Sequence, residues 1–396
     1  MQELLIYVEN NSKKILLVEN GKLIEKYEDE PYYERIEGDI FLGIVENVLP
    51  GMQAAFVNIG KEKNTFIHIR DVIPKISEET GNKNEDFSNY NIKDYLKTGM
   101  PILVQVKKDS TNKKGARIST HLSIPGRFIV LMPNEKFITI SQKIDDIEER
   151  ERLKLIGNNI VPEGYGAIIR TSAISKNQED LQEDIKMTLE KYQNIQKLYK
   201  EAIKSKNPQP KLLYKSEDIL QRLLTDLMDK DLYRICTNDT NVYEQVNRKL
   251  EESNQNIKVE LKENLLNMYD LEKQLEELEK RKIWLKCGGF ITIDKTEALT
   301  AIDVNSGKFT GSKDLEQTIF TVNKEATIEI ARQLRLRDIG GIIIIDYIDM
   351  KNKDNEEKIV ELFKECLKKD RSKTQIVGFS KLNLLEMTRK HMCSND

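Results

Sequence analysis

Thr296-Glu297-Ala298-Leu299-Thr300-Ala301-Ile302-Asp303-Val304-Asn305-Ser306-Gly307 and, further on, Gly341-Ile342-Ile343-Ile344-Ile345-Asp346 decide how the C-terminal part of the chain folds. Each holds an apolar run of strand length that meets an aspartate. The second is apolar at every position from Ile342 to Ile345, the pattern of a strand buried on both faces. Between them, Leu315 to Arg337 predicts a long helix, and a second helix is expected near Glu356 to Lys369. Gly289-Phe290-Ile291-Thr292-Ile293-Asp294 reads as the strand that pairs with Leu299–Val304. This alternation predicts a sheet with packed helices.

Upstream the pattern changes. Leu4–Val8 and Ile15–Val18 read as two strands around a polar turn, followed by Gly21 and Leu23-Ile24. So small a piece cannot bury enough surface alone and must pack on something later in the chain. From Gly38 to about Leu122, short strands (Phe41–Val45, Ala54–Gly60, Thr65–Ile69, Ile102–Lys108) separated by turn residues suggest a small closed barrel. The polar stretch Glu78 to Asn91 reads as an insertion. Residues 126–214 mix strands with a helix from Glu179 to Lys204, which ends before Asn207-Pro208-Gln209-Pro210. Residues 217–285 read as mostly helical, with Leu271, Leu275 and Leu278 at i, i+4, i+7.

Composition excludes several classes. At 396 residues the chain is too long for one ordinary core. No run of eighteen apolar residues exists, so no membrane span is expected. Met1-Gln2-Glu3-Leu4 has no basic segment ahead of an apolar one, so no secretory signal is expected either. Cys236, Cys287, Cys366 and Cys393 form no Cys-x-x-Cys pair, which argues against a disulfide framework or zinc site within the chain and for a reducing, cytoplasmic setting. With only His68, His121 and His391, a multi-histidine metal centre lacks its parts. The net charge is −3, so an affinity for nucleic acid would need a local positive field.

Asp303 and Asp346 carry the chemistry. Ligands collect at the carboxyl ends of strands in α/β sheets, and a carboxylate partly desolvated there is costly without a cation nearby. Mg²⁺ takes one or two protein carboxylates and completes its shell with water and phosphate oxygens. Asn305, two residues past Asp303, shares its face and would orient a carboxylate or a phosphate. The alternative is that both aspartates cap neighbouring helices or turns. Asp349 and Asp338 compete as ligands and rank lower, Asp338 as a turn residue before Gly340-Gly341. Ser306-Gly307-Lys308 is not a phosphate loop: Ile302 stands where the first glycine belongs, and Phe309 where Ser or Thr is required.

Arg332 and Arg335 share a helix face and would contact RNA phosphates if they stood beside the metal; otherwise they form a solvated or ion-paired face. Phe56, Phe66 and His68, bordered by Lys107, Lys108, Lys113 and Lys114, suit base stacking with backbone neutralisation. The alternative is that both phenylalanines are core. Arg170-Thr171, directly after an apolar strand, offers a guanidinium fork and a hydroxyl to a phosphate.

The Thr296–Gly307 stretch resembles the catalytic signature of the ribonuclease E/G family. So does Glu329-Ile330-Ala331-Arg332-Gln333-Leu334-Arg335-Leu336-Arg337-Asp338-Ile339-Gly340-Gly341, running on to Asp346-Tyr347-Ile348-Asp349-Met350. The likeness covers nearly the whole chain, and Asp314–Phe320 looks more like the compact branch of the family than the long one. It implies an α/β multidomain fold. Residues 1–36 and 215–280 would form an RNase H-like subdomain, 37–120 an inserted S1 (OB-type) barrel, 121–214 a 5′-sensor and 281–396 a DNase I-like catalytic region. It implies that Asp303 and Asp346 hold Mg²⁺ (Mn²⁺ as the alternative) with help from Asn305. It implies that Arg170 and Thr171 read a 5′-monophosphate beside Val130, and that Phe56, Phe66 and Lys114, with Lys108 nearby, grip RNA.

The implied activity is hydrolysis of single-stranded RNA to 5′-phosphate and 3′-hydroxyl ends, in rRNA processing and mRNA decay. The family usually continues into a Cys-x-x-Cys zinc link, whereas this sequence ends at His391-Met392-Cys393-Ser394-Asn395-Asp396. Zinc is therefore not expected, and a homodimer is left open. Ser380-Lys381-Leu382-Asn383 stands where the family has Ser-Arg-Phe-Gly, which puts one RNA contact in question. Two other classes compete: an S1-bearing RNA-binding or assembly factor without cleavage, and a DNA phosphodiesterase.

Overall fold

The computed structural model describes residues 1–10, 12–29, 35–73, 90–110, 114–227, 232–253, 255–307 and 315–391. All but Tyr90 and Asn91 of the expected insertion, and Lys113, Lys308, Asp314 and Cys393, lie outside the described residues. The chain divides into two compact units, one of Met1–Tyr32 with Lys230–Asn395 and the other of Tyr33–Asp229.

The N-terminal strands β1 (Gln2–Glu9), β2 (Ser12–Glu19) and β3 (Lys22–Asp29) form an antiparallel meander. The partner that the sequence demanded for this meander comes from the other end of the same unit, as described below.

In the second unit, β4 (Ile40–Leu49), β5 (Ala54–Asn58), β6 (Thr65–His68), β7 (Pro101–Lys108) and β8 (Arg117–Ser119) pair in the order β4-β5-β6-β8-β7. A β4–β7 pairing closes the ring, so among the described residues these five strands form a barrel. A short helix α1 (Ile92–Tyr95) precedes β7, and Val45, Val57, Ile67, Val104 and Ile118 fill the interior. Gly43 sits where a Cβ would stand 2.6 Å from Val57, so the closure needs glycine there.

Next come β9 (Ile124–Pro125), β10 (Ile129–Met132), β11 (Ile138–Ile140), helix α2 (Ile147–Ile160), β12 (Gly166–Ile169), helix α3 (Gln178–Ala202), β13 (Lys211–Tyr214) and helix α4 (Ile219–Leu227). The strands β11-β12-β10-β9 make a small sheet packed against α2 and α3, while β13 joins the barrel through β4. The unit boundary falls after α4, past the division at 215 that the family resemblance implied.

Residues 217–285, expected to be mostly helical, contain two strands ahead of the short one at Lys282–Trp284. β14 (Leu232–Thr237) and β15 (Lys258–Leu261) flank helix α5 (Thr240–Glu252) and precede α6 (Leu271–Leu278). β14 pairs in parallel with β1, giving the sheet β15-β14-β1-β2-β3. Leu5, Leu16, Val18, Cys236 and Leu271 share its core. β14 takes its partner from more than two hundred positions away, and local periodicity carries no trace of such a pairing.

The last sheet runs β16 (Lys282–Trp284), β17 (Phe290–Lys295), β18 (Leu299–Asn305), β19 (Gly341–Asp346), β21 (Leu384–Arg389), β20 (Thr374–Phe379). Helices α7 (Leu315–Leu336) and α8 (Lys353–Leu367) pack together on one face, where Val322, Ile330, Ile359 and Phe363 meet Ile302, Ile343 and Ile345. β19 is not buried on both faces, contrary to its apolar run. Ile342 is exposed and Ile344 only half-buried, because both helices lie on the same side. The sheet thus has one open face, and the candidate chemistry lies on it.

Candidate active site

β18 and β19 are parallel, and their register sets Asp303 directly beside Asp346. Residues paired in register on adjacent strands point to one side of a sheet about 4.8 Å apart. Ile302, Val304 and Ile345, the neighbours in sequence, are buried on the helical side, so both carboxylates face outward. The Asn305 amide donates to Asp303 Oδ2 at 2.6 Å and fixes that carboxylate's rotation. Among the described residues, neither Asp303 nor Asp346 accepts a bond from a helix N-terminus, while α8 is capped by Asn352.

Burial pushes the Asp346 carboxyl above its ordinary range, and the negative charges of Asp303 and then Asp349 push it further. Among the described residues, no Lys, Arg or His forms an ion pair with these three aspartates. No group of three or more His, Cys, Asp or Glu suited to a metal occurs among the described residues. The donor set is therefore two adjacent carboxylates with excess negative charge. That suits Mg²⁺, which keeps water and phosphate oxygens in its remaining positions, and does not suit a caged zinc ion.

Close backbone approaches hold the end of β18. A Cβ on Gly289 would stand 2.8 Å from the Asn305 carbonyl oxygen, and one on Gly307, at φ +59°, 2.5 Å from that of Gly288. Helix α7 fastens the loops on either side. The buried Asn323 donates to the Ile348 carbonyl at 2.8 Å and accepts from the Ile348 N–H at 3.2 Å. Thr327 and the buried Tyr347 hydroxyl are 2.9 Å apart. Glu316 accepts from the backbone N–H groups of Lys351 and Asn352, which holds its carboxyl below the usual range. Glu325 accepts from the Cys287 N–H at 2.9 Å and so anchors the β16–β17 turn. None of these four helix residues stood out in the sequence. The available signal was polar side chains recurring at 316, 323 and 327 on the face that should be apolar.

The open face carries a second feature that the sequence reading missed. Trp284 on β16 meets Phe290 on β17 edge to face at 5.3 Å, and the Lys282 ammonium lies 4.1 Å and 3.5 Å from the two ring centroids.

Arg332 and Arg335 are not beside the carboxylates. α7 starts near the Asp303 end of β18 and returns so that β19 can begin in parallel. Arg332, seventeen residues along, is therefore about 26 Å down the helix. It donates to Glu329 at 2.8 Å and to the Leu23 carbonyl at 3.3 Å, tying α7 to β3. Arg335 lies near Cys366 of α8. Asp338 is likewise at the far end, at φ +44°, in an ion pair with the buried Arg389 at 2.8 Å.

In the other unit, Phe56 and Phe66 face each other across β5 and β6 with ring centroids 6.2 Å apart. Both are half-buried on the outer face and absent from the barrel core. Lys108 and Lys114 are exposed, and Arg117, beside Phe66 in register, pairs with Asp71 at 2.8 Å. Burial and the nearby Arg70 lower the pKa of His68.

Val130 pairs with Ile168, and Arg170 continues the face of Ile168, with Thr171 exposed next to it. The Arg170 guanidinium donates to Asp226 at 2.6 Å and to the Gly126 carbonyl at 2.9 Å. The turn at Gly126 is rigid: Asp184 accepts from the N–H groups of Arg127, Phe128 and Ile129, and a Cβ on Gly126 would meet that carboxylate at 2.5 Å.

Residues 123–392 match the model of the Ribonuclease E/G family. Ribonuclease G of Salmonella typhimurium (strain SL1344) is 38% identical over 394 residues, 98% of this chain and 79% of the relative. Ribonuclease G of Escherichia coli (strain K12) is 37% identical over the same coverage. Ribonuclease E of Nostoc sp. (strain PCC 7120) is 35% identical over 399 residues, 97% of this chain and 56% of the relative.

Proposed function

The chain belongs to the ribonuclease E/G family, and from that we propose that it is an Mg²⁺-dependent endoribonuclease acting on single-stranded RNA. The observation that carries this reading is the register pairing of Asp303 with Asp346 on an open sheet face, where, among the described residues, neither carboxylate forms an ion pair. Asp303 and Asp346 would hold the ion, and Asn305 keeps the Asp303 carboxylate turned toward it. Bound there, a divalent ion supplies Lewis-acid polarisation of a phosphoryl oxygen and a more acidic attacking water. Water adds to phosphorus, the bond to the 3′-oxygen breaks and that oxygen takes a proton, leaving 5′-phosphate and 3′-hydroxyl ends.

The remaining proposals concern binding. Phe56 and Phe66, with Lys108 and Lys114, would hold unpaired bases and their backbone on an S1-type barrel. Arg170 and Thr171, beside Val130, would read a 5′-monophosphate. We assign the subdomain identities as the resemblance implied them, with the α/β region from 281 as the DNase I-like catalytic part. Ribosomal precursors and mRNA are the proposed substrates. Among the described residues no helix is long and apolar enough to cross a membrane. The free thiols of Cys236, Cys287 and Cys366 fit a reducing, cytoplasmic setting.

A 5′-monophosphorylated, A/U-rich labelled oligonucleotide incubated with Mg²⁺ or EDTA tests the reading. Cutting should require Mg²⁺ and fall at least a hundredfold, about 2.7 kcal/mol, in Asp303→Asn and in Asp346→Asn. Undiminished cutting by either variant would defeat the assignment. Tight, salt-sensitive binding without product would favour a pure RNA-binding factor. Equal cutting of single-stranded DNA would favour a general phosphodiesterase.

A further inference from the structure

We infer that Trp284, Phe290 and Lys282 form a base-stacking subsite for the RNA strand, on the same open sheet face as the Asp303–Asp346 pair. Strand register places it. Lys282, Thr292, Asp303 and Asp346 form one row across four strands, and Trp284, Phe290 and Asn305 form the adjacent row. Trp284 therefore stands two strands from Asn305, about 10 Å at the usual strand spacing. That is the reach of roughly three stacked nucleotides at about 3.4 Å each, and of fewer in an extended strand.

The chemistry fits that occupant. Trp284 is the chain's single tryptophan and is 60% exposed, whereas a tryptophan with only a packing role is largely covered. The indole is held in place, with Phe290 against it edge to face and the Lys282 ammonium over both rings. Its turn is fixed by the Leu285 N–H donating to the Gly289 carbonyl at 2.8 Å and by the Cys287–Glu325 bond. β16 is an edge strand, and among the described residues no further strand crowds the ring. A flat aromatic surface accepts any base, and a lysine at its face supplies the charge for the adjoining phosphate. Continuity with the carboxylate pair makes single-stranded RNA the fitting occupant rather than a second copy of this chain.

The subsite rests on the nuclease reading for its substrate, but its test does not depend on cleavage. Because Trp284 is the single tryptophan, intrinsic fluorescence reports on it alone. The full chain carrying Asp303→Asn and Asp346→Asn, which removes both cleavage and carboxylate repulsion, is titrated in EDTA with a single-stranded oligonucleotide, and anisotropy of an end label shows saturation. The expected result is a saturable change in tryptophan emission that follows the anisotropy curve. In the otherwise unaltered enzyme, Trp284→Ala should raise KM about tenfold, or about 1.4 kcal/mol, with kcat little changed, and Trp284→Phe should restore most of the loss. Absence of RNA binding, saturation without any change in emission, or an unaltered KM in a folded Trp284→Ala protein overturns the subsite. So does emission that shifts on dilution without RNA while the mass in solution halves, which would put a second copy on the ring. An emission response to RNA in the double variant, together with no Mg²⁺-dependent cutting by the unaltered chain, overturns the nuclease reading and leaves the subsite standing.

Discussion

Asp346 shows what the fold concedes at this site. Its carboxyl is raised by burial and by Asp303 and Asp349, so the folded protein binds the proton more tightly than the unfolded chain does. Stability is then greatest below the ordinary carboxylate value and falls as pH rises to the elevated folded value. At neutral pH without metal, the charged site opposes folding. Asp346→Asn is therefore expected to melt slightly higher than the parent chain at pH 7 in EDTA, by no more than about 2 °C. The difference should vanish on acidification to below the ordinary carboxylate value, and calorimetry across pH measures it.

Asn383 is a second case. It sits at φ +60°, where the family pattern has glycine, and its amide reaches Asp349 at 3.4 Å. Asparagine tolerates this backbone better than other side chains do. Asn383→Gly should fold as the parent does, whereas Asn383→Val should cost about 1–3 kcal/mol in denaturant unfolding. The two metal-binding candidates were legible because a carboxylate closing an apolar strand is chemically conspicuous. Trp284 was not, since only the register of β16 and β17 brings it onto the face of Asp303.

At the scale of elements, α7 does more than cover the sheet. Asn323, fully buried, bonds both backbone groups of Ile348 in the loop that follows Asp346. Asn323→Leu would leave an N–H and a carbonyl without partners in the core, at about 1–3 kcal/mol each. We expect a clear loss of stability in urea together with a lower kcat and an almost constant KM, because the side chain orders the loop without touching RNA. A change confined to KM, with kcat intact, would contradict that role. The helix itself was readable from Leu315 to its C-terminal turn, and so was the strand–helix alternation around it. The position of Arg332 was not: sequence spacing gives its neighbours on the helix but not which end of the sheet they reach. β14 escaped for the related reason that its defining contacts are with β1.

The two compact units divide the proposed work, with the carboxylate pair in one and the barrel and Arg170 in the other. Recognition of the RNA end and hydrolysis of its backbone should therefore be separable by mutation. Arg170 is held by Asp226 at 2.6 Å and by the Gly126 carbonyl. A 5′-phosphate must take the place of the Asp226 carboxylate, an exchange of one anion for another that carries more charge and more acceptor oxygens. Two opposite outcomes follow. Removing the guanidinium in Arg170→Ala should bring the ratio of cutting rates on 5′-monophosphate and 5′-hydroxyl substrates close to one. Removing the competing charge in Asp226→Asn should increase that ratio severalfold, because Arg170 keeps its Gly126 bond but loses its anionic partner. Paired oligonucleotides differing only at the 5′ end, cut under single-turnover conditions, measure both. A preference that survives Arg170→Ala places the end-reading group elsewhere, and a preference that weakens in Asp226→Asn makes Asp226 a support for Arg170 rather than its competitor.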